Sequence, residues 1–86
     1  MQHRFTFRRT TQADVNWASD AAPDDEQFEF RMEAMASDAQ WIEGVTESRR
    51  VGQFETMISS HEELEVLKKK LVPLLRHYWD YLRIVL

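Results

Sequence analysis

Residues 64–86 carry their apolar side chains on one side of a helical projection. At about 100° per residue, Leu64, Leu67, Leu71, Leu74, Leu75, Tyr78, Trp79, Leu82, Val85 and Leu86 fall within one half of the wheel. Glu65, Lys69, Lys70, Arg76, His77, Asp80 and Arg83 fill the other half. Lys68 is the one charge well inside the apolar arc, where its stem can lie on a core while its ammonium reaches water. Ser60 and Glu63 have the spacing of a capping box just ahead of the stripe. Pro73 removes one backbone hydrogen bond, and on the polar side it bends a helix around what the helix covers. The pattern predicts one long amphipathic C-terminal helix, kinked at Pro73, whose apolar half must be buried on another layer.

The other layer is predicted to be a sheet. Residues 3–8 alternate, with Phe5 and Phe7 on one face and Arg4, Thr6 and Arg8 on the other, which is the period of a half-buried strand. Thr11 and Asp14 fit a second capping box, opening a short helix over 12–18 with Val15 and Ala18 inward. Four acids around Pro23, namely Asp20, Asp24, Asp25 and Glu26, mark an exposed loop.

Residues 27–34 admit two readings. Phe28, Phe30, Met32 and Ala34 alternate with Glu29, Arg31 and Glu33, as in a strand. Phe28, Met32, Met35, Ala39 and Ile42 also follow helical spacing, with acids before them and Gly44 after them. The strand reading is preferred because it places Phe28 and Phe30 together. Residues 41–47 and 51–58 read as two further strands, with a turn at 48–50. The expected fold is α+β: a small, mainly antiparallel sheet of about three to four strands, covered by the long helix, in a single domain over 1–86. A mostly helical protein is the alternative if 24–43 is helical.

Composition narrows the function. The chain has 86 residues, no cysteine, and a formal net charge of −4. Without cysteine it has neither disulfides nor thiolate metal ligands. No apolar run approaches the roughly 20 residues of a membrane span, and the first residues lack the apolar core of a signal peptide, so a cytoplasmic setting is expected. The acidic balance argues against a general nucleic-acid binder. The histidines at 3, 61 and 77 have no metal-ligand spacing. No nucleophile triad, glycine-rich phosphate loop or cofactor motif is present. No catalytic residue, metal or cofactor is therefore expected.

The remaining candidates are binding surfaces. Asp20, Asp24, Asp25 and Glu26 could dock on a basic protein surface. On the outer side of the long helix, Val66, Pro73 and Ile84 project close together with His77 beside them, a thin apolar ridge suited to a partner helix or a two-fold mate in a homodimer. Arg8, Arg9, Arg49 and Arg50 offer an alternative anion or nucleic-acid site if the strand ends meet, with Trp17 or Trp41 to stack on a base, but because acids outnumber bases, pairing with Glu29, Glu33, Glu43 and Glu47 across the sheet is preferred. The leading expectation is a small acidic inhibitor, immunity-type or adaptor protein. Anion or nucleic-acid binding comes second, and a small enzyme or enzyme subunit third.

Overall fold

The computed structural model describes residues 1–15 and 22–85. Its elements, in chain order, are β1 (Gln2–Arg9), α1 (Gln12–Val15), α2 (Asp25–Ala39), β2 (Val45–Gly52), β3 (Glu55–Ser60), α3 (Leu64–His77) and β4 (Leu82–Val85). The four strands form one antiparallel sheet in the order β2-β3-β1-β4. β1 and β2 therefore run parallel with β3 between them, and β3 and β4 run parallel with β1 between them. These two interleaved split β-α-β units are the ferredoxin-like arrangement of strands and helices.

Both long helices lie on one face of the sheet. Phe5 and Phe7 from β1, Ile58 from β3 and Leu82 from β4 meet Phe28, Met32, Met35 and Ala39 of α2 and Leu67, Leu71 and Leu75 of α3 in one buried cluster, with Tyr78 closing it. The alternation read in residues 3–8 thus sets the face of β1 that is covered. Phe5 pairs across β3 with buried Thr56, and Phe7 pairs across β4 with Ile84.

The stretch 27–34 is helix, not strand. Asp24 is the N-cap of α2: its Oδ1 accepts from the Gln27 amide at 2.8 Å, while the Gln27 side chain accepts from the Asp24 amide at 3.0 Å. This reciprocal box satisfies two free donors, and Asp25 and Glu26 sit where the helix dipole favours negative charge. The helical stripe continues through Ala39, whereas the strand alternation stops at Ala34. Phe30, which made the strand attractive, is 66% exposed.

The long C-terminal helix is also corrected. The longest helix is α2, in mid-chain, and α3 runs through Pro73 but ends at His77. A turn at 78–81 then reverses the chain, with the Tyr81 and Leu82 amides both donating to the Tyr78 carbonyl. Residues 82–85 become a strand because β1 has an open edge there, and Leu82 and the β-branched Ile84 and Val85 suit a pleated surface. Tyr78 and Leu82 are both buried four residues apart, so the helical projection placed them on the core side for the wrong local structure.

Two boundaries differ as well. Glu63, not Ser60, is the N-cap of α3, and it makes no side-chain cap bond. Ser60 Oγ instead accepts from the Glu62 amide at 2.9 Å. The hairpin turn falls at Gln53-Phe54, not at 48–50, so Arg49 and Arg50 lie within β2. At Thr11, Asp14 accepts from the backbone amide and the hydroxyl alike. Trp17, Ala18, Asp20 and Leu86, and the side chain of Val15, lie outside the described residues.

Gly44 takes φ +91°, and a Cβ there would lie 2.9 Å from Glu62 Cγ. Its carbonyl accepts from the His61 amide at the start of the turn into α3. Gly44→Ala should cost about 1–2 kcal/mol in chemical denaturation, from the strained backbone. Deleting residues 83–86 removes most of β4 and should lower the melting temperature by about 10 °C or more; an unchanged transition would show that β4 adds nothing to the fold.

Candidate functional site

The half-wheel of apolar residues in 64–86 is wider than one sheet face can cover. Leu67, Leu71 and Leu75 are buried beneath α3, but Val72 and Trp79 are 41% and 40% exposed. Together with Leu71, Leu75 and Ile84 they line a groove of about 560 Å³ between α3 and β4, and Lys68 and Arg76 complete its walls. The groove lies on the flank of α3 away from α2, above the outermost strand of the sheet. Its two cations are eight residues apart, about 12 Å along the helix at 1.5 Å per residue, so they bracket the apolar stretch. Lys68 sits 3.7 Å from the well-exposed Glu65, a pair of little strength. The end near the 78–81 turn is closed by Trp79, whose ring lies 3.9 Å below the Arg83 guanidinium. Arg83 Nε also donates to the Trp79 carbonyl at 2.9 Å.

Charge is unevenly divided along the chain. Residues 1–63 hold six Lys and Arg against thirteen Asp and Glu, while residues 64–86 hold five against two. The groove therefore belongs to a segment of net charge +3 in a chain of net charge −4.

The predicted ridge breaks up. Val66, Pro73 and His77 are exposed on α3, and the His77 ring meets Tyr78 edge-on at 5.1 Å. Ile84 is not beside them; it lies on β4, packed against the core and lining the groove. The acidic group is partly engaged. Asp24 caps α2, Asp25 pairs with Arg9, and exposed Glu26 lines a shallower cleft with Asp24, Gln27, Phe30, Arg31 and Tyr81. Asp20 is outside the described residues.

The four arginines do not converge. Arg8 and Arg49 point to the open face of the sheet, Arg9 and Arg50 to the covered one. Arg8 makes two bonds to Asp14, at 2.7 and 2.8 Å, which hold the Asp14 carboxyl well below the usual carboxylate range. Arg49 lies 3.3 Å from Glu47. Arg50 ties β2 to α2 by pairing with Glu29 and Glu33, and it donates to the carbonyls of Gly52 and Gln53. Its hydrogen bonds lower the Glu29 pKa, and those carboxylates raise its own. Trp41 is 81% exposed in the turn after α2, with no arginine of this set beside it among the described contacts.

Val72, Arg76 and Trp79 were missed as site residues. The available signal was the border of the apolar arc, where Trp79 lies with Lys68 beside it and Val72 just beyond; Arg76, in the polar half, gave none. Among the described residues, no group of three or more His, Asp or Glu is arranged to hold a metal ion, and no helix is long and apolar enough to cross a membrane. Comparison with family models, curated proteins and solved structures finds no match.

Tyr78 ties the turn after α3 to α2. It is nearly fully buried, and its hydroxyl donates to Asp38 of α2. Burial, and then the Asp38 hydrogen bond, push its pKa up to about 12. A free tyrosine ionises near pH 10, so the native state holds the phenolic proton more tightly than the unfolded chain. The resulting stability is complete below about pH 10 and is lost as pH rises towards about 12. Tyr78→Phe should cost about 1 kcal/mol at neutral pH, and it should flatten this alkaline loss in denaturation curves taken at successive pH values.

Proposed function

We propose that this protein is a non-catalytic protein-binding module of the inhibitor, immunity-type or adaptor kind, and that it docks its partner in the α3–β4 groove. The observation that carries the reading is the pairing of exposed Val72 and Trp79 with Lys68 and Arg76 around one apolar depression. Aromatic and arginine side chains around a dry centre are what protein contacts favour. The basic walls ask for a partner surface that is apolar and acidic, the reverse of the basic surface that the acidic loop suggested. Lys68 and Arg76 would attract such a partner at short range, around the apolar centre. A cysteine-free chain suits a reducing, cytoplasmic setting, and we assign it there.

The test is co-purification from the source cell with three forms of the protein: wild type, Val72→Asp in the groove, and Glu47→Ala on the far edge. Circular dichroism confirms that all three are folded. A partner held by the groove should be retained by wild type and Glu47→Ala and weakened about tenfold or more by Val72→Asp. Equal retention by all three would place the contact elsewhere.

A further inference from the structure

The two edges of the sheet are not alike. β2, at one edge, shifts register between Val45 and Glu47 and again between Arg50 and Gly52, and it carries Glu47, Arg49 and Arg50. Bulges and charges of this kind keep other chains from pairing with an edge. β4, at the other edge, keeps regular register with β1 over its whole length. Its one charged side chain, Arg83, is folded back on Trp79.

The ladder also fixes which backbone groups β4 leaves open. The Thr10 amide donates to the Tyr81 carbonyl at 3.1 Å. Bonded and non-bonded pairs alternate along an antiparallel ladder, so Arg83 and Val85 turn their amides and carbonyls to β1. In agreement, the Phe7 amide, opposite Ile84, donates away from β4, to the Phe54 carbonyl. The Ile84 amide and carbonyl and the Leu82 carbonyl therefore point outward. The Leu82 amide is taken by Tyr78.

We propose that an extended segment of a partner protein adds to β4 as a fifth strand, with apolar side chains entering the α3–β4 groove and acidic ones flanking them to meet Lys68 and Arg76. This deepens the groove-docking reading and rests on it. A strand laid beside β4 would sit about 4.8 Å out, under the overhanging flank of α3. Its inward side chains would meet Ile84, Val72 and Trp79, and its backbone would pair with Ile84. At about 3.4 Å per residue, the roughly 12 Å between the two cations corresponds to acids about four positions apart, which point to the same face. Main-chain pairing supplies affinity in strand addition and alternate side-chain pockets supply selectivity. A second copy of this chain fits less well, because its β4 carries no acid to meet Lys68 and Arg76.

The probe is a terminally blocked peptide of about nine residues, with threonine at the even positions, glutamate at positions 3 and 7, and valine at positions 1, 5 and 9. Two controls accompany it: one methylated on the backbone nitrogens that would face β4, and one with lysine for every glutamate. Amide NMR of the whole protein should show shifts at Val72, Leu75 and Trp79, and exchange of the Ile84 amide slowed about tenfold or more at saturation. Both controls should bind at least about tenfold more weakly. Groove shifts without Ile84 protection, or equal binding of the methylated control, would overturn strand addition and leave groove docking standing. Absence of groove shifts at millimolar peptide would overturn the strand proposal, and co-purification with Val72→Asp judges the groove separately. Protection of Ile84 that grows with protein concentration without peptide, with a doubled mass in light scattering, would give the edge to a second copy and overturn it as well.

Discussion

The structure depends on one shared apolar layer. The sheet offers a single covered face, and Phe5, Phe7, Ile58 and Leu82 on it must be shielded by two helices from different parts of the chain. In a chain of 86 residues this layer is nearly all the burial available. The register of β1 follows from it, since a slip of one residue would turn both phenylalanines to water. So does the seating of α2, whose Met32, Met35 and Ala39 are fully buried. The fasteners lie around the perimeter of the layer: Arg50 to Glu29 and Glu33 at one side, and Tyr78 to Asp38 at the other. The groove is the same constraint seen from outside, because α3 has more apolar flank than a four-stranded sheet can cover.

The legible parts were those in which local and tertiary preferences agree. The alternation of residues 3–8 was decisive because β1 sits inside the sheet with one face covered. The stripe through Leu67, Leu71 and Leu75 was equally clear. Residues 27–34 misled because both periods fit eight residues; the acids at 24–26 favoured a helix N-terminus, but the reciprocal cap of Asp24 with Gln27 that decided the matter was not read. Residues 82–85 misled for a different reason. Their state is imposed by the free edge of β1, more than 70 residues away in the chain, and no local pattern records that.

The site was less legible than the fold. Ile84 was singled out, but for an outward helical ridge, and it lies instead on a strand in the groove wall. Lys68 was read as a snorkelling core neighbour, and Trp79 as core. Seeing them as one site requires knowing that α3 stops at His77 and that the chain doubles back beneath it. The arginines show the converse: Arg8, Arg9, Arg49 and Arg50 looked like a cluster in pairs along the chain, but strand alternation sends each pair to opposite faces, each beside a carboxylate.

The position of β1 has a consequence for how the chain is made. The strand at the middle of the sheet leaves the ribosome first, its β3 neighbour follows some fifty residues later, and its β4 neighbour emerges last. Until β3 is made, therefore, a strand bearing Phe5 and Phe7 has two open edges, the state most exposed to pairing with other nascent chains. The arginines at 4, 8 and 9 border those phenylalanines, in the placement of charges that discourages such pairing. Their charge is present before the partners of all three, Glu55, Asp14 and Asp25, are in place.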